Sequence, residues 1–157
     1  MNRRDRIGDW EGDTIYGAIG KGYLVTCVDR KSRYFAAALL SKRSEQQMRE
    51  ALKEALRGLP VYTLSLDNGS EFAEYKEIEK DLGATVYFAD PHSPWQRGSN
   101  ENINGLVRFF FPKGADFKAV AQEELYRVIE LINERPRKCL GWLSPKDVFF
   151  TQVLHLV

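Results

Sequence analysis

A chain of 157 residues, 43% hydrophobic and 29% charged, is long enough to bury one well-formed core and too short for two. Its formal charge of +1 excludes binding nucleic acid by bulk charge alone, because proteins that do so are strongly basic, and leaves any such affinity to local patches. No window is apolar over a membrane span and Met1-Asn2-Arg3-Arg4 leads into no apolar signal region, so the expected place is the cytosol, without a membrane partner.

The first predicted strand, Asp9 to Tyr16, carries Trp10, Gly12, Thr14 and Tyr16 on one parity and Asp9, Glu11, Asp13 and Ile15 on the other, which puts three acids on one face. Gly17 to Gly22 superficially looks like a phosphate loop. It lacks the following Ser or Thr and runs into a strand, so a hairpin connection is the better reading. Tyr23 to Val28 is nearly continuously apolar, as for a strand buried on both faces, and Asp29-Arg30-Lys31-Ser32 turns into a third strand, Tyr34 to Leu40. Cys27 lies in the apolar run and Cys139 in a loop, with no CxxC pair, and His92 and His155 are isolated, so neither a disulfide framework nor a zinc site is suggested.

From Ser44 the pattern alternates between helix and strand. Ser44-Glu45-Gln46-Gln47 has capping-box spacing, Met48, Ala51, Leu52, Ala55 and Leu56 share one helical face, and Gly58 ends it. Val61 to Leu66 is the fourth strand, Phe72 to Leu82 a second helix stopped by Gly83, and Ala84 to Phe88 the fifth strand. Helical crossovers imply parallel pairing of the last strands. The element order therefore predicts an α/β, ribonuclease H-like fold: a five-stranded mixed sheet, three strands antiparallel and two parallel, with helices on both faces, in a single domain.

After Asp90-Pro91-His92-Ser93-Pro94, a helix from Asn100 to Phe111 buries Ile103, Leu106, Val107 and Phe110, and Pro112 ends it. Glu101, Asn104 and Arg108 lie together on its other side. Gly105, mid-helix among them, costs about 1 kcal/mol relative to Ala, which is easier to explain if something approaches the backbone closely. Phe109, Phe110 and Phe111 in succession cannot all face one core; an exposed aromatic here marks an oligomer interface or a loosely covered cluster. A last amphipathic helix uses Ala121, Leu125, Val128, Ile129 and Ile132 and stops at Arg135-Pro136. Arg135, Arg137, Lys138 and Lys146 then form a basic cluster, which beside a carboxylate site would hold phosphates.

Asp67-Asn68-Gly69 halts the fourth strand at a carboxylate, where ligands bind in open α/β sheets; alone, such an Asp more often starts a turn. Thirty-three residues separate it from Glu101. That spacing, with Trp10-Glu11-Gly12-Asp13, Leu66-Asp67-Asn68-Gly69-Ser70-Glu71-Phe72, Pro94-Trp95-Gln96-Arg97-Gly98-Ser99-Asn100-Glu101-Asn102 and Asn133-Glu134-Arg135-Pro136-Arg137-Lys138-Cys139-Leu140-Gly141, resembles the catalytic core of DDE transposases and retroviral integrases, and more closely that of bacterial insertion-element transposases with DD(33)E spacing. The resemblance runs from about Gly8 to Phe150 and implies Asp13, Asp67 and Glu101 as catalytic triad and metal ligands; strand parity alone does not choose Asp13 over Asp9 or Glu11.

It further implies Mg²⁺ or Mn²⁺, two ions about 3.5–4 Å apart once DNA is bound, hydrolysis at element ends, and in-line attack of the freed 3′-hydroxyl on target DNA. Arg108, seven residues after Glu101, is the implied DNA contact near the cut site, and its removal is expected to have little effect on stability. Asn104, Arg97, Arg135, Arg137 and Lys138 are further candidate DNA contacts. The expected partners are DNA, at element ends and target, and further copies of the chain. The N-terminal helix-turn-helix region of the family plan is not found in this sequence. A nuclease of the same fold that does not rejoin DNA, and a non-catalytic oligomerisation domain, are the alternatives.

Overall fold

The computed structural model of the chain describes residues 6–67, 75–88 and 98–155. Among them a sheet is built from β1 (Asp9–Tyr16), β2 (Tyr23–Asp29), β3 (Phe35–Leu40), β4 (Thr63–Leu66) and β5 (Thr85–Phe88), in the spatial order β3-β2-β1-β4-β5. β1, β2 and β3 pair antiparallel through short turns, while β4 joins β1 and β5 joins β4 in parallel. Parallel neighbours need a crossover, and α1 (Glu45–Ala55) and α2 (Tyr75–Leu82) provide them. Then come α3 (Gly98–Phe110), α4 (Gln122–Glu134) and α5 (Pro145–Leu154). The expected ribonuclease H-like mixed sheet is what forms, with strand starts within two residues of those expected.

Alternation along β2 shows why helices lie on both faces. Val25 and Cys27 enter one apolar cluster with Met48, Ala51 and Leu52 of α1, Ile78 of α2 and Phe149 of α5, while Leu24 and Val28 enter a second with Ile103 and Val107 of α3 and Leu125, Val128 and Ile132 of α4. Successive side chains point to opposite faces, so a continuous apolar run is what a strand between two helical layers requires. Burial pushes the Cys27 thiol up to about 12, which removes it as a nucleophile at neutral pH.

The helices expected from the sequence end at Arg135-Pro136, and α5 lies beyond them. Its start is written in Ser144-Pro145: the Ser144 hydroxyl accepts the Asp147 backbone N–H at 3.1 Å, and proline suits the first helical turn. What hid the helix is the lack of a clean apolar stripe. Its main anchor, Phe149, is fully buried against Tyr34 and Trp10, at ring-centroid distances of 4.5 and 5.8 Å, a pocket that exists only once distant strands have met.

β3 is an edge strand, and α4 covers its open side with one side chain. The Phe35 N–H donates to Asn133 Oδ1 at 2.7 Å, and Asn133 Nδ2 donates to the Phe35 carbonyl at 2.8 Å. The amide thus stands in for a sixth strand at one residue, satisfying both backbone groups and blocking edge pairing there.

Candidate active site

β1 and β4 run side by side with Asp9 opposite Thr63, Trp10 opposite Leu64 and Glu11 opposite Ser65. Carried on by two residues, the same register puts Asp13 beside Asp67. Packing agrees: a Cβ added to Gly12 would lie 2.7 Å from Leu66 Cδ2, as expected if residues 12 and 66 are also abreast. Asp13 and Asp67 share strand parity, hence a sheet face, and adjacent strands lie about 4.8 Å apart. Both residues are half-buried. On the next strand Tyr87 is opposite Ser65 on this same face and is 57% exposed.

The two acids that parity could not separate from Asp13 are engaged elsewhere. Asp9 accepts both guanidinium N–H groups of Arg6, at 3.0 and 3.1 Å, and the Thr63 hydroxyl at 2.8 Å. Glu11 is fully buried with Arg30, whose Nε lies 3.4 Å from Glu11 Oε1. Asp13 lies further toward the carboxyl end of the sheet, level with Asp67.

Ile103 and Val107, both fully buried, dock α3 against the sheet. One residue on, Asn104 and Arg108 meet β1. Asn104 Nδ2 donates to Asp13 Oδ2 at 2.9 Å, Asn104 Oδ1 accepts from Thr26 Oγ1 at 3.3 Å, and the Thr14 N–H donates to Asp13 Oδ1 at 2.8 Å. Glu101 occupies the helical position one turn before Asn104; its side chain lies outside the described residues. Among the described residues no three His, Cys, Asp or Glu side chains gather as a metal cluster. Asn104, a candidate DNA contact, is thus hydrogen-bonded within the protein.

Arg108 is also bonded within the protein. Its guanidinium donates to the Tyr16 carbonyl at 3.0 Å and to those of Phe111 and Pro112 at 3.4 Å, tying the end of β1 to the residues that follow α3. Partial burial lowers its pKa, though a guanidinium remains charged. The expectation of little effect on stability is therefore corrected: Arg108→Ala should lower unfolding free energy by about 1 kcal/mol, read by urea denaturation, since three carbonyls lose a charged donor.

Gly105 is exposed, and a Cβ there would meet no atom within 4 Å among the described residues. No described part of the chain makes the close approach that the glycine implied. Phe111 is buried, Phe110 packs on the second cluster, and Phe109 is 81% exposed.

Arg97 lies outside the described residues. The basic cluster follows α4, whose end Asn133 fixes at the outer edge of β3, level with Glu11 and with β2 between β3 and β1. Arg135 follows there, and Lys146 pairs with Glu134 and Glu130 at 3.5 and 3.9 Å. Arg137 and Lys138 come next, at the 3-10 turn Lys138–Leu140.

Residues 4–94, more than half of the chain, match the family model described as Integrase core domain. The chain is 42% identical over 160 aligned residues to the transposase for insertion sequence element IS1086 of Cupriavidus metallidurans, covering 98% of this chain and 46% of that protein. It is 41% identical over 151 residues to transposase InsI for insertion sequence element IS30A of Escherichia coli K12, covering 94% and 39% respectively. It thus spans less than half the length of these curated relatives. The catalytic core domain of BIV integrase superposes with a TM-score of 0.70 at 18% identity, covering 92% of this chain and 94% of that one, a likeness of fold.

Proposed function

The chain belongs to the integrase core domain family, and from that premise we propose that it is the catalytic core of an insertion-element transposase, cutting DNA at element ends and joining the freed 3′-hydroxyl to target DNA. The observation that carries this reading is the β1–β4 register, Glu11 opposite Ser65, which carried on by two residues brings Asp13 level with Asp67 at the carboxyl end of β4. Catalytic helix α3, bonded to Asp13 through Asn104, carries Glu101 one turn earlier, and the proposed triad is Asp13, Asp67 and Glu101.

The donor set fits Mg²⁺ or Mn²⁺. Paired carboxylates are hard oxygen ligands, and the described part of the site offers no thiolate or imidazole to favour zinc. Asp13, Asp67 and Glu101 would hold such ions. When bound, they supply activation of the attacking water or 3′-hydroxyl and stabilisation of charge on the departing oxygen. The protein's own part is to hold the two aspartates on a pair of hydrogen-bonded strands, with exposed Tyr87 on the same face as a surface for a DNA strand.

Gly105 fits the same reading, as a place where a bound strand runs against the helix backbone. Gly105→Ala should raise stability by about 1 kcal/mol, because Ala is the better helix former and has free space, while weakening DNA binding. Thermal unfolding and a DNA titration read the two effects. A stabilised variant with unchanged DNA affinity would leave the glycine without this role. Arg108, at the α3 terminus, is a proposed phosphate neighbour; Arg108→Ala should then flatten the salt dependence of DNA binding.

The deciding experiment follows cleavage and joining of a pre-cut DNA end in Mn²⁺ or Mg²⁺ by the full-length protein. Both activities support the transposase reading. Cleavage without joining makes the chain a nuclease of the same fold, and neither activity, with self-association retained, makes it an assembly domain. Oligomerisation in the active complex belongs to the proposal, with exposed Phe109 as a candidate contact.

A further inference from the structure

We propose that Asn104 is a positioning residue that sets the orientation of the Asp13 carboxylate, and that buried Thr26 fixes which end of the Asn104 amide faces it; this rests on the metal-dependent reading above and assigns the site's orientation to residues outside the triad. Thr26 is the cross-strand partner of Asp13 in the β1–β2 pair and is fully buried. α3 lies across that pair and lowers Asn104 onto it, giving a chain of two side-chain hydrogen bonds: Thr26 Oγ1 to Asn104 Oδ1 at 3.3 Å, then Asn104 Nδ2 to Asp13 Oδ2 at 2.9 Å.

The direction of this chain follows from the chemistry of its ends. An ionised carboxylate only accepts, so the NH₂ end of Asn104 must face Asp13. The carbonyl end is then turned to Thr26, whose hydroxyl must donate. With the amide flipped, its oxygen would meet the carboxylate oxygen and the site would repel itself. Thr26 thus acts on Asp13 through Asn104.

The Asp13 carboxylate is held at both ends, Oδ1 by the Thr14 N–H at 2.8 Å and Oδ2 by Asn104, which fixes its plane. A carboxylate oxygen can accept more than one partner, so a held carboxylate can also serve as an oriented cation ligand. The holder is neutral. A lysine in that place would orient the carboxylate and cancel its charge; an amide orients it and leaves the charge whole. Groups of this kind, one step behind a ligand, typically change metal affinity by about 10–100-fold when removed.

The test measures Mn²⁺ binding to the chain without DNA, by electron paramagnetic resonance, beside the dependence of joining on Mn²⁺ and on DNA and thermal unfolding in EDTA. Asn104→Ala should raise the Mn²⁺ half-saturation by about tenfold or more, with the DNA half-saturation at saturating Mn²⁺ unchanged. Thr26→Val, which keeps shape and loses the hydroxyl, should shift Mn²⁺ binding the same way by a smaller factor, and Thr26→Ser should restore it. Because Thr26 acts through Asn104, the double variant should bind Mn²⁺ no worse than Asn104→Ala alone. Unfolding in EDTA excludes a damaged fold as the cause. Unchanged Mn²⁺ binding with a raised DNA half-saturation in Asn104→Ala would make Asn104 a DNA contact and overturn the proposal. A wild-type chain that binds no Mn²⁺ would overturn it together with the metal reading beneath it.

Discussion

Asp67→Asn is expected to abolish cleavage and joining, by about three orders of magnitude or more, while leaving the fold intact or slightly steadier. The strand register puts Asp67 beside Asp13 on one sheet face, and in the absence of a cation two like charges at that spacing repel. Asparagine keeps the shape and removes one of the charges. Thermal unfolding in EDTA should therefore give a midpoint equal to or above that of the wild type. Mn²⁺ should raise the wild-type midpoint and fail to raise that of the variant, because a ligand that binds only the folded state stabilises it by mass action. A full-length Asp67→Asn protein that still cleaves and joins DNA would remove Asp67 from the triad. A large loss of stability in EDTA would instead assign it a structural role.

Asn133→Asp is the second large effect, and it falls on stability. The wild-type amide donates to the Phe35 carbonyl and accepts the Phe35 N–H at a site 2% exposed. An ionised carboxylate there would turn an oxygen toward that carbonyl and bury a charge without a partner, a combination that destabilises by about 3 kcal/mol or more. The sign of its pH dependence follows. Burial and the carbonyl favour the neutral carboxyl, so the folded pKa of the introduced group is raised above the unfolded one. The variant should be least impaired at low pH, where its O–H can donate to Phe35, and should lose stability as pH rises through the folded pKa. Urea unfolding of wild type and variant at several pH values tests this; a deficit independent of pH would point to lost packing instead. The variant also frees an edge strand, so it should aggregate more readily than the wild type.

These two residues show how differently the chain could be read. Asp67 was legible because a strand that ends on Asp-Asn-Gly is a local pattern, and its spacing to Glu101 belongs to a recognisable family. Asn133 was legible only as part of a closing segment that resembles the same family. Its bond to Phe35 joins two places 98 residues apart, and no local signal announces it. The place of the basic cluster beyond it was hidden for the same reason. Arg135, Arg137 and Lys138 read as phosphate holders if near the carboxylates, and the sheet order puts two strand spacings between the outer edge of β3 and β1.

Helices α1 to α4 and the five strands follow from periodicity, caps and breakers, because each depends on neighbours within a few residues. The sequence by itself determined the sheet's composition, the two-sided burial of β2 and the three acids worth watching. Only the tertiary structure decided which acid of β1 stands level with Asp67, since Asp9, Glu11 and Asp13 share one face and parity repeats every two residues. Pairing register, which is a relation between strands, separates them. It also decided that Asn104 and Arg108 turn inward, because a polar helix face carries no record of whether water, DNA or another strand's carboxylate and carbonyls will lie against it.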